Sequence, residues 1–487
     1  MTHSAEHAAI VIRGARIIDP SIGRDEVADV AIVGGVIAGA ARVSARAHVV
    51  SADGWILCPG LIDIHVHLRE PGQTHKETIE TGTAAACAGG FTFVACMPNT
   101  APPLDHPDAV RLVLELSRYA GHCTVGPIAT ITQGRAGREV VDFAALLQAG
   151  AIAFSDDGDG VEDDKVMRTA FEQAATHDTL LIQHCEYKEI SAGGVMHAGS
   201  VARRLGFPGL DPRSEEAMIE RDIDLCRKTG GRYHVAHIST AKAIDLVRTA
   251  KADDLPVTAE VCAHHLLLTD EACADANPNT KMHPPLRPSN DVDACRSGLL
   301  DGTIDCIVTD HAPHTREEKS TGFLKAPPGI VGLETSVGVC AEAMIQSGLA
   351  DWSALIKWMT DGPARVIRRQ PVTTDVDVPA ELTLIDPTAR WTVDAERFVS
   401  KGRCSPFDGM NLTGLPAGTV RGSPAHSPPP LPARGRARFR PGGTQQGQRA
   451  HSRAGHGRLV GATVGQPHAG ATPPRSAGRN GDGLGGT

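Results

Sequence analysis

Pro59-Gly60-Leu61-Ile62-Asp63-Ile64-His65-Val66-His67-Leu68-Arg69 is the stretch on which the fold turns. It reads as a buried strand ending in two imidazoles and a guanidinium. Side chains alternate faces along a strand, so His65 and His67 point to the same side, close enough to share one metal ion. Leu61, Ile62, Ile64, Val66 and Leu68 put apolar groups on both faces, as in a parallel strand covered on both sides. An HxH pair taken alone serves equally well as core or surface histidines. The polar residues further along the chain favour a metal.

Downstream the rhythm is strand, helix, strand, helix. Strands are expected at Leu61 to His67, Phe91 to Met97, Cys123 to Ala129, Ala151 to Ser155, Thr179 to His184, Tyr233 to Ile238, Pro256 to Val261 and Ile304 to Thr309. Helical patterns such as Glu77 to Ala88, Ala109 to Tyr119, Asp163 to Thr176, Ser214 to Lys228 and Ala241 to Lys251 lie between them. Eight strands with helical crossovers predict an α/β fold, a (β/α)8 barrel of the TIM type. Before it, Ala9 to Ile12, Arg16 to Ile18, Val30 to Val33 and Val36 to Ala38 read as short strands of a small sheet. The expected organisation is residues 8–56 as the N-terminal part of a small β domain, 57–368 as the barrel, 369–418 as the rest of the β domain, and 419–487 as a basic, disordered Pro/Gly/Arg-rich tail.

Barrels of this kind carry their chemistry at the C-terminal ends of the strands. His65 and His67 lie there on the first strand, Asp156 and Asp157 on the fourth, His184 on the fifth, His237 on the sixth, and Asp310 just after the eighth. Strand spacing lets only one of Asp156 and Asp157 face inward and does not say which. His184 or His237 alone would read as a core histidine. Together, four imidazoles and two carboxylates suit two divalent ions, with zinc favoured by the nitrogen ligands.

Composition narrows the class. The chain has 487 residues, 41% of them hydrophobic and 22% charged, which is ordinary for a globular protein, and no apolar run of membrane-spanning length. The start lacks a basic n-region with a cleavable apolar core, and the twelve cysteines show no CxxC spacing. Reduced thiols in a cytoplasmic enzyme are therefore expected, without a membrane. The net charge of −9 is uneven: from Arg421 onward there are ten Arg and one acid, Asp482, leaving the body at −18. An acidic body argues against nucleic-acid binding by the folded part.

PGLIDIHVHLREPG, MPNT, AFSDDG, QHCE, HVAHIST, KMHPPLR and TDHAPH, followed by KAPPGIVGLET, resemble the dihydroorotases of the amidohydrolase superfamily, specifically the class I bacterial type. The resemblance runs from near Ile10 to about Gly409. It implies two Zn2+ ions, with His65 and His67 on one, His184 and His237 on the other, Asp157 bridging where many relatives use a carboxylated lysine, and Asp310 as ligand of the first ion and general acid/base. It further implies that His67, Arg69, Asn99, His283 and His314 contact the substrate, and that Pro328-Gly329 closes the pocket. The implied reaction is reversible hydrolysis of (S)-dihydroorotate to N-carbamoyl-L-aspartate in pyrimidine biosynthesis. The partners it suggests are that small molecule, a second copy in a homodimer, and an aspartate transcarbamoylase. From the residues alone, Asn99 reads equally as a turn residue, and His314 as substrate contact or loop cap.

Two departures stand out. His283 occupies a position where relatives commonly carry Asn, and after Gly409 the chain runs into a Pro, Gly, Arg and Ser tail instead of strands. Such a tail cannot bury enough apolar area to offset its ordering entropy. A frame change near Thr419 to Pro424 would explain it, with a natural basic tail as the alternative, and the sheet is then expected to lack its last strand. Two alternative functions come with the enzyme reading. An allantoinase or hydantoinase-like cyclic amidase would offer a lysine at the bridging position, whereas Lys165 lies outside the strand. A non-catalytic partner of aspartate transcarbamoylase would have lost ligands, and none is missing here.

Overall fold

The computed structural model describes residues 9–39, 47–422 and the backbone of 458–460. Its eight parallel strands, Leu61–Val66, Phe91–Cys96, Thr124–Ala129, Ala153–Phe154, Leu180–Gln183, Arg232–Val235, Val257–Cys262 and Cys306–Val308, neighbour one another in chain order. The ring closes where Val66 bridges His311 and the His67 amide donates to the His311 carbonyl at 2.8 Å. All six residues of the first strand are buried, because side chains fill the barrel inside and helices cover it outside. This is the (β/α)8 barrel.

Helices form within two residues of the expected segments, at Ile79–Ala88, Pro107–Ala120, Asp164–His177, Arg213–Thr229 and Ala241–Ala252. The first starts after Glu77 because Thr78 and Thr81 cap each other reciprocally. Glu77 is thereby freed to turn inward, where it accepts from Ser400 and the Lys401 amide and lies against His311.

The second sheet joins residues from before and after the barrel. Ala9–Asp19 pairs antiparallel with Arg24–Val33 and parallel with His48–Ser51 and Ile56–Pro59, and Ile56–Pro59 pairs antiparallel with Glu381–Thr392. Gly60 then turns the chain into the first barrel strand. A Cβ there would fall 2.1 Å from the Thr92 hydroxyl, so no larger residue fits. Glu381–Thr392 pairs in turn with Asn411–Arg421. Thr419, Val420 and Arg421, expected as the start of the tail, thus belong to the sheet, where Thr419 and Val420 are buried. The sheet was expected to lack its last strand, yet Arg458–Val460 pairs along this outer edge. The tail from residue 423 on, apart from 458–460, lies outside the described residues, and its expected disorder with it.

A buried ion pair ties the helix Arg213–Thr229 to Arg287, in the loop before the helix Ser289–Leu300. Arg287, 1% exposed, donates to Glu215 Oε2 at 2.9 Å and Ser239 Oγ at 3.0 Å, and the Ser239 amide donates to Glu215 Oε1 at 2.8 Å. Arg287→Met is expected to destabilise the fold by about 3–5 kcal/mol, because Glu215 would stay buried without its counter-charge. Denaturant unfolding of parent and variant measures this.

Candidate active site

The first barrel strand delivers His65 and His67 with ring centroids 5.6 Å apart. Past its end Arg69 takes φ +58°, and His237 and Asp310, at the ends of the sixth and eighth strands, take φ +33° and +46°. Non-glycine residues rarely occupy this region, and such strain gathers where side chains must be aimed precisely. All three point into the barrel mouth.

Asp157 lies at the centre of the cluster. Its Oδ1 is 3.2 Å from His65 Nε2, 3.7 Å from His237 Nε2 and 3.8 Å from His184 Nδ1, while Oδ2 is 3.5 Å from His67 Nε2. Asp310 Oδ1 is 3.0 Å from His67 Nε2 and 3.7 Å from His65 Nε2. Asp156 faces away: it accepts the Ile131 and Thr132 amides at 2.8 and 3.0 Å and the Thr132 hydroxyl. That separates two neighbours which strand spacing left alike. Lys165 is exposed on the helix Asp164–His177 and does not enter the cluster.

His65 Nε2, Asp157 Oδ1 and His237 Nδ1 are buried without a hydrogen-bond partner. Burying unpaired polar atoms costs several kcal/mol in total, by about 1–3 kcal/mol each. A cation between the imidazole and carboxylate donors would satisfy two of these atoms, and the donor set suits one. His65, His67 and Asp310, and likewise His65, Asp157 and His237, place their ligand atoms within 4.8 Å of one another. These groups can therefore hold metal. Burial would raise the Asp310 carboxyl, but the hydrogen bond to His67 and the neighbouring His65 hold it below the ordinary carboxylate range. Asp157 is held well below that range in the same way, with burial opposed chiefly by His65 and His237.

A cleft of about 200 Å³ opens onto this cluster. His67, Arg69, Asn99, His283, His314, Pro328 and Gly329 all line it. Asn99 Oδ1 lies 2.7 Å from His67 Nδ1 and its amide nitrogen donates to Asp157 Oδ2 at 3.3 Å, so Asn99 braces the cluster as well as facing the cleft. Arg69 Nη2 is 3.4 Å from His314 Nε2. Burial, with Arg69 and Lys76 nearby, lowers His314 to about 3, leaving a neutral ring that accepts at Nε2. Gly329 has φ +121°, and a Cβ there would meet Ala312 at 2.9 Å and His314 Nε2 at 3.2 Å. His283 stacks on His184 at 4.9 Å, with Nε2 3.0 Å from Glu186 Oε2.

A curated dihydroorotase of Pelotomaculum thermopropionicum is 48% identical over 416 residues, spanning 85% of this chain and 97% of that protein. The chain belongs to the dihydroorotase family. The dihydroorotase of Solibacter usitatus is 45% identical over 413 residues, covering 84% of this chain and 96% of its own length. A family model named Dihydro-orotase-like matches residues 54–243. Among solved structures, L-hydantoinase from Arthrobacter aurescens superposes with a TM-score of 0.74 at 23% identity, over 85% of this chain and 95% of that one. Dihydropyrimidinase from Brevibacillus agri gives 0.73 at 22%, over 85% and 94%. These two show the shared barrel fold.

Glu260 and Glu186 touch the cluster and went unread in the sequence. Glu260 was legible only as a lone carboxylate in the apolar run Val257–Cys262, and Glu186 only as the residue two beyond His184.

Proposed function

We propose that this protein interconverts (S)-dihydroorotate and N-carbamoyl-L-aspartate in pyrimidine biosynthesis, using two zinc ions. The observation that carries this is Asp157 amid four imidazoles, with Asp310 beside them and Arg69 on the same cleft wall. His65, His67 and Asp310 would hold one ion, His184 and His237 the other, with Asp157 between. Bound there, zinc supplies Lewis-acid polarisation of the ring carbonyl and lowers the pKa of water from about 15.7 to about 7.

The chain's own residues do the rest. Arg69 presents a planar, permanently charged fork that matches the substrate carboxylate, and His314 accepts from Arg69 and keeps that fork aimed. Asn99 and His283 offer hydrogen bonds to the ring, and the wall at Pro328-Gly329 limits its size. Asp310 takes the proton of the attacking water and returns it to the departing ring nitrogen.

Arg69→Lys keeps the charge but loses the fork. We expect KM for dihydroorotate to rise about ten- to hundredfold, as a charged hydrogen bond is worth about 1.5–3 kcal/mol, with kcat changed far less. Steady-state kinetics on the variant checks this split.

The alternative is a hydantoinase-like amidase, and its assay rings allantoin and dihydrouracil carry no carboxylate for Arg69 to hold. Hydrolysis of dihydroorotate, allantoin and dihydrouracil, measured beside metal content, decides between them. Preference for dihydroorotate is expected; turnover of allantoin or dihydrouracil with dihydroorotate untouched would overturn the proposal. The twelve cysteines are all free and buried, which supports a reducing cytoplasm. Among the described residues no helix is long and apolar enough to cross a membrane. Light scattering, alone and with an aspartate transcarbamoylase, tests the proposed homodimer and that partnership.

A further inference from the structure

Glu260 is fully buried in the seventh barrel strand, and both its oxygens are engaged. Oε1 meets His65 Nδ1 and also lies 3.3 Å from the His237 amide nitrogen, which donates to it. Oε2 is 3.1 Å from His234 Nε2, and His234 Nδ1 is 2.7 Å from the Thr258 hydroxyl. One carboxylate therefore touches a side chain in one half of the cluster and the backbone in the other.

We propose that Glu260 is a positioning residue for both metal positions. By accepting from His65 Nδ1 it fixes a proton there, so that Nε2, the atom 3.2 Å from Asp157 Oδ1, is the nitrogen that turns to an ion. By accepting the His237 amide it holds that residue in its strained backbone conformation at φ +33°, which aims the imidazole. His234, braced by Thr258, keeps the carboxylate from turning away. The inference rests on the cluster being a metal centre.

Glu260→Gln is nearly isosteric, which favours retention of the fold. Its amide either presents N–H to His65 Nδ1, moving the proton to Nε2, or accepts with a neutral and weaker oxygen. Both weaken the ligand. Zinc affinity measured by chelator competition is expected to fall about ten- to hundredfold, the usual effect of removing such a partner. The visible spectrum of the cobalt-substituted variant should change, while the metal-free protein melts as the parent does. Affinity within about twofold of the parent, with the parental cobalt spectrum, would overturn the assignment.

A purely structural role predicts a different result, namely a lower melting temperature of the metal-free variant with affinity and spectrum unmoved. That too overturns the assignment. Should the variant not fold, the parent still decides, because proton and nitrogen NMR of the metal-free protein reports the tautomer of His65. A proton on Nδ1 is expected, whether or not Nε2 carries a second one, and a bare Nδ1 refutes the assignment. If the parent binds neither zinc nor cobalt, the metal reading fails together with this inference.

Discussion

Prolonged chelation is expected to abolish dihydroorotate hydrolysis, and zinc to restore it. That is the largest effect expected of any treatment, because the imidazole and carboxylate donors of the cluster converge as a metal would need them. Asp157 lies within 3.8 Å of nitrogens from His65, His67, His184 and His237. The carboxylates of this cleft, Asp157 and Asp310, are far too weak as bases to ionise a free water at neutral pH, whose pKa is about 15.7. Residual turnover should sit at the limit set by remaining zinc, so activity and zinc content titrate together. A bound ion also favours the folded state, and the chelated protein should melt at a lower temperature. Full activity in a preparation verified as metal-free would sink the mechanism.

The barrel was legible because its signal is local. Apolar runs of four to eight residues separated by amphipathic helices state the architecture segment by segment, and the ligands lie at a fixed point of each segment, its C-terminal end. His65 and His67 needed only period-two alternation. Asp156 and Asp157 show where local information stops, since the choice between them is made by the Ile131 and Thr132 amides, 24 or more residues away in the chain. Glu260 went unread for a related reason. A single carboxylate in a strand has no spacing to interpret, and its meaning comes from His65 and His234 on other strands. Glu77 was placed in a helix by its periodicity, and the Thr78 cap moved it out. The short strand Arg458–Val460 exists only against the edge of Asn411–Arg421, a pairing that composition does not reveal.

Asp310→Asn is expected to lower turnover by about two to four orders of magnitude, the range of positioned acid/base catalysis, while zinc stays bound. Hydrolysis makes two demands on a proton: the attacking water must lose one, and the ring nitrogen must gain one as it leaves. A single carboxylate between those atoms meets both. Asp310 follows the eighth strand with φ +46°, which turns its side chain into the cleft, and its Oδ1 reaches 3.0 Å from His67 Nε2. Burial would favour the protonated acid, yet His67 and His65 hold the group below the ordinary carboxylate range, so it is ionised at neutral pH and free to accept a proton. Asparagine keeps the shape and one ligating oxygen but accepts no proton. Metal analysis separates loss of ligation from loss of proton transfer, because only the second leaves the zinc content unchanged. If the variant held its zinc and turned over within about tenfold of the parent, Asp310 would not be the proton shuttle. His314, a neutral ring on the same cleft wall, would then be the next residue to substitute.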